Sequence, residues 1–143
     1  MAGRNWDKAV GLLVGQGRVL SGAAILPVMP EDRGSHKRAI IYAQKGVALR
    51  APEATALVGA VMDGRVHEGY VYAGGHQYVI TTVMESAFYG RCMSTATAGG
   101  IVLIKADRVL ILATYSEPVT AAEAIPFAHE KAEILKQGMA AGA

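Results

Sequence analysis

Cysteine is almost absent. Cys92 is the single thiol in 143 residues, so no internal disulfide can form, and folds stapled by bridges are excluded. A lone thiol points to a reducing, cytoplasmic setting. Aromatic residues make up only 6% of the chain, so Ala, Val, Ile and Leu must fill the core. Charge is sparse at 18%, with a formal excess of +2, too little to argue for a nucleic-acid partner. Long apolar runs are missing as well. The most apolar stretch, Ile101 to Tyr115, is broken by Lys105, Asp107 and Arg108, and nothing approaches the ~20 residues of a membrane span. Met1 to Asp7 has no apolar segment of the signal-peptide type. What is there is 52% apolar, which excludes intrinsic disorder. The length predicts one domain over 1–143.

Catalytic and metal-binding patterns are also lacking. His36, His67, His76 and His129 are not spaced as metal ligands with one another or with Cys92. No nucleophile elbow, phosphate loop or pair of catalytic carboxylates can be read. The expectation is a binding module, not an enzyme, with no cofactor and no metal.

The periodicities predict helix, two strands, helix, at least four strands, helix. Trp6, Val10 and Leu13 share one side of a helix over 5–14, with Asn5 as its cap and Gly15-Gln16-Gly17 as its stop. Ser21–Leu26 and Ala39–Gln44 read as strands around a polar loop, and Pro52–Met62 as a helix opened by its proline. Tyr70–Ala73 and Gln77–Thr82 flank Gly74-Gly75-His76, a hairpin signal. Strands follow at Ala87–Cys92, Ile101–Lys105 and Arg108–Tyr115. A last helix spans Thr120–Gln137 and is ended by Gly138. Strands in succession with short turns argue for an α+β fold with a central antiparallel sheet.

Several segments resemble the profilin family in order and spacing. They are Ser21-Gly22-Ala23-Ala24-Ile25, Tyr42-Ala43-Gln44, Gly74-Gly75-His76-Gln77-Tyr78-Val79-Ile80 and Gly99-Gly100-Ile101-Val102-Leu103-Ile104-Lys105. To these are added the run from Leu110 to Thr120, the most specific piece, and Ile134-Leu135-Lys136-Gln137-Gly138. With Trp6 in the first helix they reach across nearly the whole chain. The resemblance implies a sheet flanked by helices, the terminal helices packed side by side, in a monomer associated with the cytoskeleton. It implies binding of monomeric actin, of proline-rich proteins such as formins, and of phosphoinositide head groups.

Carried over residue by residue, the resemblance assigns the proline-rich ligand to Trp6, to Tyr42 in place of a second tryptophan, and to His129. Ala9 stands where the family has a tyrosine, and Pro126 to Gln137 contains no aromatic except Phe127, so a weakened proline groove is implied. Actin contacts are implied at Thr82, Arg91, Thr95 and Lys105, although 92–98 lacks the family's usual basic residues. Arg33, Lys37 and Arg38, in the long loop from Pro27, form a basic patch suited to an anionic head group. The other reading is an adaptor that does not bind actin, on this fold or on a roadblock-like one.

Overall fold

The computed structural model describes residues 6–28, 41–94, 99–106 and 108–142. The elements run α1 (Trp6–Val14), β1 (Gly22–Pro27), β2 (Ala43–Lys45), α2 (Ala51–Met62) and β3 (Tyr70–Ala73). They continue with β4 (His76–Val83), β5 (Ala87–Cys92), β6 (Gly100–Ala106), β7 (Val109–Tyr115) and α3 (Ala121–Gly142). The strands form one antiparallel sheet in the order β2-β1-β7-β6-β5-β4-β3.

Alternation along the central strands sorts the core into two layers. Ile25, Val102, Ile104, Ile111 and Ala113 point to one face and are covered by Val10 and Leu13 of α1 and by Ala124, Ala128 and Ala132 of α3. Leu26, Ile101, Leu103, Leu110 and Leu112 point to the other face and meet Leu57 and Val61 of α2. Strands β6 and β7 are buried on both faces and read as continuous apolar runs for that reason. The core is aliphatic, as the low aromatic content requires. Among the described residues only Tyr78, Phe88 and Tyr115 add buried rings.

Element order agrees with the sequence reading, and two boundaries differ from it by several residues. The second strand is Ala43–Lys45, shorter than Ala39–Gln44. Residues 39 and 40 lie outside the described residues, though the Tyr42 N–H already donates to Ile25 O at 2.9 Å. Gly138 does not end the last helix, which continues to Gly142. A glycine stop needs a left-handed φ, as at Gly15 (φ 57°), and Gly138 has none. Asn5, the expected cap, is outside the described residues.

The β3–β4 hairpin is tied to α2 by a single carboxylate. Gly74 and Gly75 turn with φ of 61° and 82°, the geometry of a two-residue hairpin loop. Their N–H groups donate to Glu53 Oε1 and Oε2 at 3.0 and 2.9 Å. The Arg50 N–H, at the start of α2, donates to Oε1 at 2.9 Å. Burial pushes the Glu53 pKa up, but the three N–H donors and the Arg50 charge outweigh it and hold it below its ordinary value. Glu53→Ala is expected to cost about 1–2 kcal/mol in urea unfolding. The carboxylate's share of stability is complete above the ordinary glutamate value of about 4.3. It disappears as pH falls through the lowered folded-state value. The variant should therefore lose less stability than the wild type on acidification, and an equal loss in both would refute the assignment.

Candidate functional site

Two surfaces carry the side chains that could hold a partner. The first is at the β2 edge of the sheet. Trp6 opens α1, and Tyr42 enters β2. Their rings stack with centroids 4.9 Å apart and planes 7° from parallel, and both are half-buried against the terminal-helix core. At that separation no third ring fits between them. The pair is therefore one platform, with an indole N–H and a phenol hydroxyl as its donors.

His129, the third groove residue expected from the sequence, is engaged elsewhere. Its Nε2 lies 2.6 Å from Tyr89 Oη on β5, with the rings at 80°. Four strand spacings separate β2 from β5, about 19 Å, so the structure unites Trp6 with Tyr42 and leaves His129 with a different surface. Ala9 is buried beneath α1. Phe127 packs on the core with Lys131 Nζ 5.1 Å from its ring centre, and so it too is occupied.

The second surface arises because the terminal helices cover only part of their face of the sheet. α1 packs on β1 and β2, and α3 on β6 and β7. Among the described residues, α1 and α3 leave the same face of β3 and β4 open, and α3 reaches β5 through the Tyr89–His129 contact. Register places Tyr70 opposite Val79 and Val79 opposite Arg91. It places Tyr72 opposite Gln77, and Thr82 opposite Tyr89 beyond a bulge in β4. Cross-strand partners point the same way, so all of these side chains project from that face. Tyr70 and Tyr72 are 54% and 48% exposed. A cleft of about 570 Å³ lies at Arg91, between it and Tyr115 on one side and Pro118 and Thr120, before the start of α3, on the other, whereas Tyr70 and Tyr72 line a separate cleft of about 580 Å³ with Pro52, Glu53 and Leu57 of α2.

Of the actin residues expected from the sequence, Thr82 and Arg91 are brought together here. Lys105 shares its side of β6 with Ile101 and Leu103, which face α2, and so it lies on the opposite face. Thr95 lies outside the described residues, as do Arg33, Lys37 and Arg38. Tyr70, Tyr72 and Tyr89 were missed. Their signal was present in the strict alternation of Tyr70-Val71-Tyr72-Ala73, which puts both tyrosines opposite the buried pair. Among the described residues no cluster of His, Cys, Asp and Glu is arranged to hold a metal ion. No described helix is long and apolar enough to cross a membrane.

An antiparallel sheet between paired terminal helices and a single helix, with a stacked aromatic pair at one edge, defines a fold of the α+β class. The family model for profilin matches residues 4–139, and the chain belongs to the profilin family. It is 27% identical to Profilin-A of Physarum polycephalum over 126 residues, covering 87% of this chain and 90% of that one. Among solved structures, Acanthamoeba castellanii profilin IB superimposes with a TM-score of 0.73 at 22% identity, over 93% of this chain and 98% of that one. Mouse profilin IIa in complex with a double repeat from the FH1 domain of mDia1 gives a TM-score of 0.68 at 18% identity, over 94% and 99%. These structural likenesses establish the fold.

Proposed function

We propose that this protein regulates actin assembly by binding monomeric actin on the terminal-helix face of β3–β5. Its role is non-enzymatic. The observation that carries the reading is the grouping of Tyr70, Tyr72 and Arg91 on the part of the terminal-helix face that α1 and α3 leave open among the described residues. Tyrosine and arginine are the side chains that most often dominate an interface. Each combines a large contact area with directed donors. Family membership supplies the partner. Docking there occludes one side of the actin monomer and leaves the platform at the β2 edge accessible.

The Trp6–Tyr42 platform is proposed to take proline-rich segments, the chemistry of the FH1 repeat bound by the mouse relative. A polyproline II ligand is already ordered, so its rings can stack on the platform at little entropic cost. With His129 and Phe127 engaged elsewhere, the platform offers less aromatic area than a groove with rings on both helices. Weaker binding than in a typical profilin is expected. A carrier with both sites can deliver actin to a formin-type protein at high effective concentration. Binding of phosphoinositide head groups is a separate proposal and rests on Arg33, Lys37 and Arg38.

The test is titration with monomeric actin, read by the fall in spontaneous assembly. Arg91→Ala and Tyr70→Ala are each expected to weaken binding about tenfold or more. Both should change unfolding stability by less than about 0.5 kcal/mol, since both side chains are exposed. Lys105→Ala, on the other face, should leave binding unchanged. Absence of saturable binding by the wild type would reject the actin reading in favour of a profilin-fold adaptor.

A further inference from the structure

Tyr115 carries a polar group that the fold leaves without a partner. The residue is only 8% exposed and belongs to the core under the terminal helices. Its hydroxyl nevertheless makes no hydrogen bond among the described residues. Every sealed side-chain polar atom of those residues is partnered, so the hydroxyl opens to solvent, and it does so in the cleft that Tyr115 lines. Register explains its direction. Arg91 lies opposite Gly100, and Gly100 opposite Tyr115, so the three share a face and the middle one has no side chain. The phenol fills that gap, since a Cβ at Gly100 would fall on its hydroxyl oxygen and ring end. The hydroxyl therefore sits over Gly100, on the side of Arg91.

Two further sets of donors border the same cleft. Arg91 is exposed and has no acidic partner among the described residues. On the other wall α3 begins. Thr120 O accepts from the Glu123 and Ala124 N–H groups at 3.1 and 2.9 Å. The N–H groups of Ala121 and Ala122 are left as open donors of the first turn, at the positive end of the helix dipole. Burial holds the Tyr115 pKa above its ordinary value, so the phenol keeps its proton and donates. Glu117 is the one acidic residue that lines the cleft. Its charge offsets that of Arg91, and the remaining donors are neutral. A doubly charged phosphate gains little in such a site. A singly charged carboxylate meets less repulsion and presents two acceptor oxygens, one pair of lone pairs for a guanidinium and another for the phenol or the helix start.

We infer that this cleft is a carboxylate-binding subsite, with the Tyr115 hydroxyl, the Arg91 guanidinium and the first N–H groups of α3 as its donors. The carboxylate belongs to a free small acid or to the protein docked on this face. The subsite stands on the cleft itself, apart from the actin reading.

Acetate is the probe. Titrated into the whole protein against sodium chloride at one ionic strength, sodium acetate should shift the NMR signals of Arg91 Nε–H and of the Ala121 and Ala122 amides saturably. Tyr115→Phe should bind acetate about fivefold more weakly. Its urea midpoint should match the wild type, because the lost hydroxyl has no protein partner. Inorganic phosphate should bind no more tightly than acetate. Shifts that chloride reproduces, an unchanged acetate affinity in Tyr115→Phe, or tighter binding of phosphate each overturn the proposal. Once acetate binding is established, actin titrations in acetate and in chloride identify the source. Weaker actin binding in acetate assigns the carboxylate to docked actin, and equal binding assigns it to a free acid. If the wild type binds no actin in either salt, the docking reading fails, while the acetate titration still decides this inference.

Discussion

Trp6→Ala is expected to weaken binding of an oligoproline peptide at least thirtyfold. This corresponds to the loss of ~2 kcal/mol that marks a dominant interface residue. The stack at 4.9 Å and 7° is a single unit, so removing one ring removes both the platform and the support that orients the other. Tyr42→Ala should cost less, because the larger ring and the indole donor remain. Trp6→Phe should fall between, keeping the stack without the N–H. Trp6 is half-buried at the start of α1, so the fold should survive its loss at about 1–2 kcal/mol of stability. Trp6 is the only tryptophan in the chain, so its fluorescence reports peptide binding in the wild type. Calorimetry serves for the variants. If Trp6→Ala binds oligoproline as tightly as the wild type, the platform is not the proline site. His129→Ala should leave oligoproline affinity unchanged, because that ring is held against Tyr89.

Gly99→Ala is expected to produce the largest loss of stability of any single methyl added to this protein. A Cβ at Gly99 would fall on the carbonyl oxygen and carbon of Tyr115 and lie 2.6 Å from Ser116 Cα. These are backbone atoms and cannot rotate away. The Gly99 carbonyl also accepts from the Cys92 N–H at 3.1 Å, so a shift that relieves the overlap opens the end of β5. A loss of about 4 kcal/mol or more is expected, in the range of mutations that break backbone packing. That lowers the melting temperature by ~10–15 °C for a domain of this size. Gly138→Ala should act in the opposite direction. Nothing lies within 4 Å of a Cβ there and the residue is inside α3, so alanine should add up to about 1 kcal/mol. Thermal and urea unfolding of the two variants decide both points. A destabilised Gly138→Ala would restore Gly138 as a helix stop.

Much of this molecule was legible before any coordinates. The number and order of elements follow from local patterns: the helical spacing of Trp6, Val10 and Leu13, and the Gly74-Gly75 turn between alternating strands. Each depends on neighbours within a few residues, and so each can be read from a linear string. Gly138 was misread because a glycine near a helix end has the composition of a stop whether or not its φ is left-handed. The seven core residues Val109 to Tyr115 read only as a strand, since burial on both faces erases the alternation that would assign sides.

The candidate site divides the same way. Sequence by itself determined the fold family and the aliphatic core, since these rest on residue identity and order. It grouped His129 with Trp6 and Tyr42, and Lys105 with Thr82 and Arg91, groupings that the structure separates, and it did not single out Tyr70, Tyr72 or Tyr89. Which face of the sheet a side chain occupies depends on register, and which part of that face stays open depends on where α1 and α3 come to rest. Both are fixed by contacts between residues far apart in the chain. Only the tertiary structure therefore decided that Thr82 and Arg91 share a surface with two exposed tyrosines, while Lys105 faces the other way.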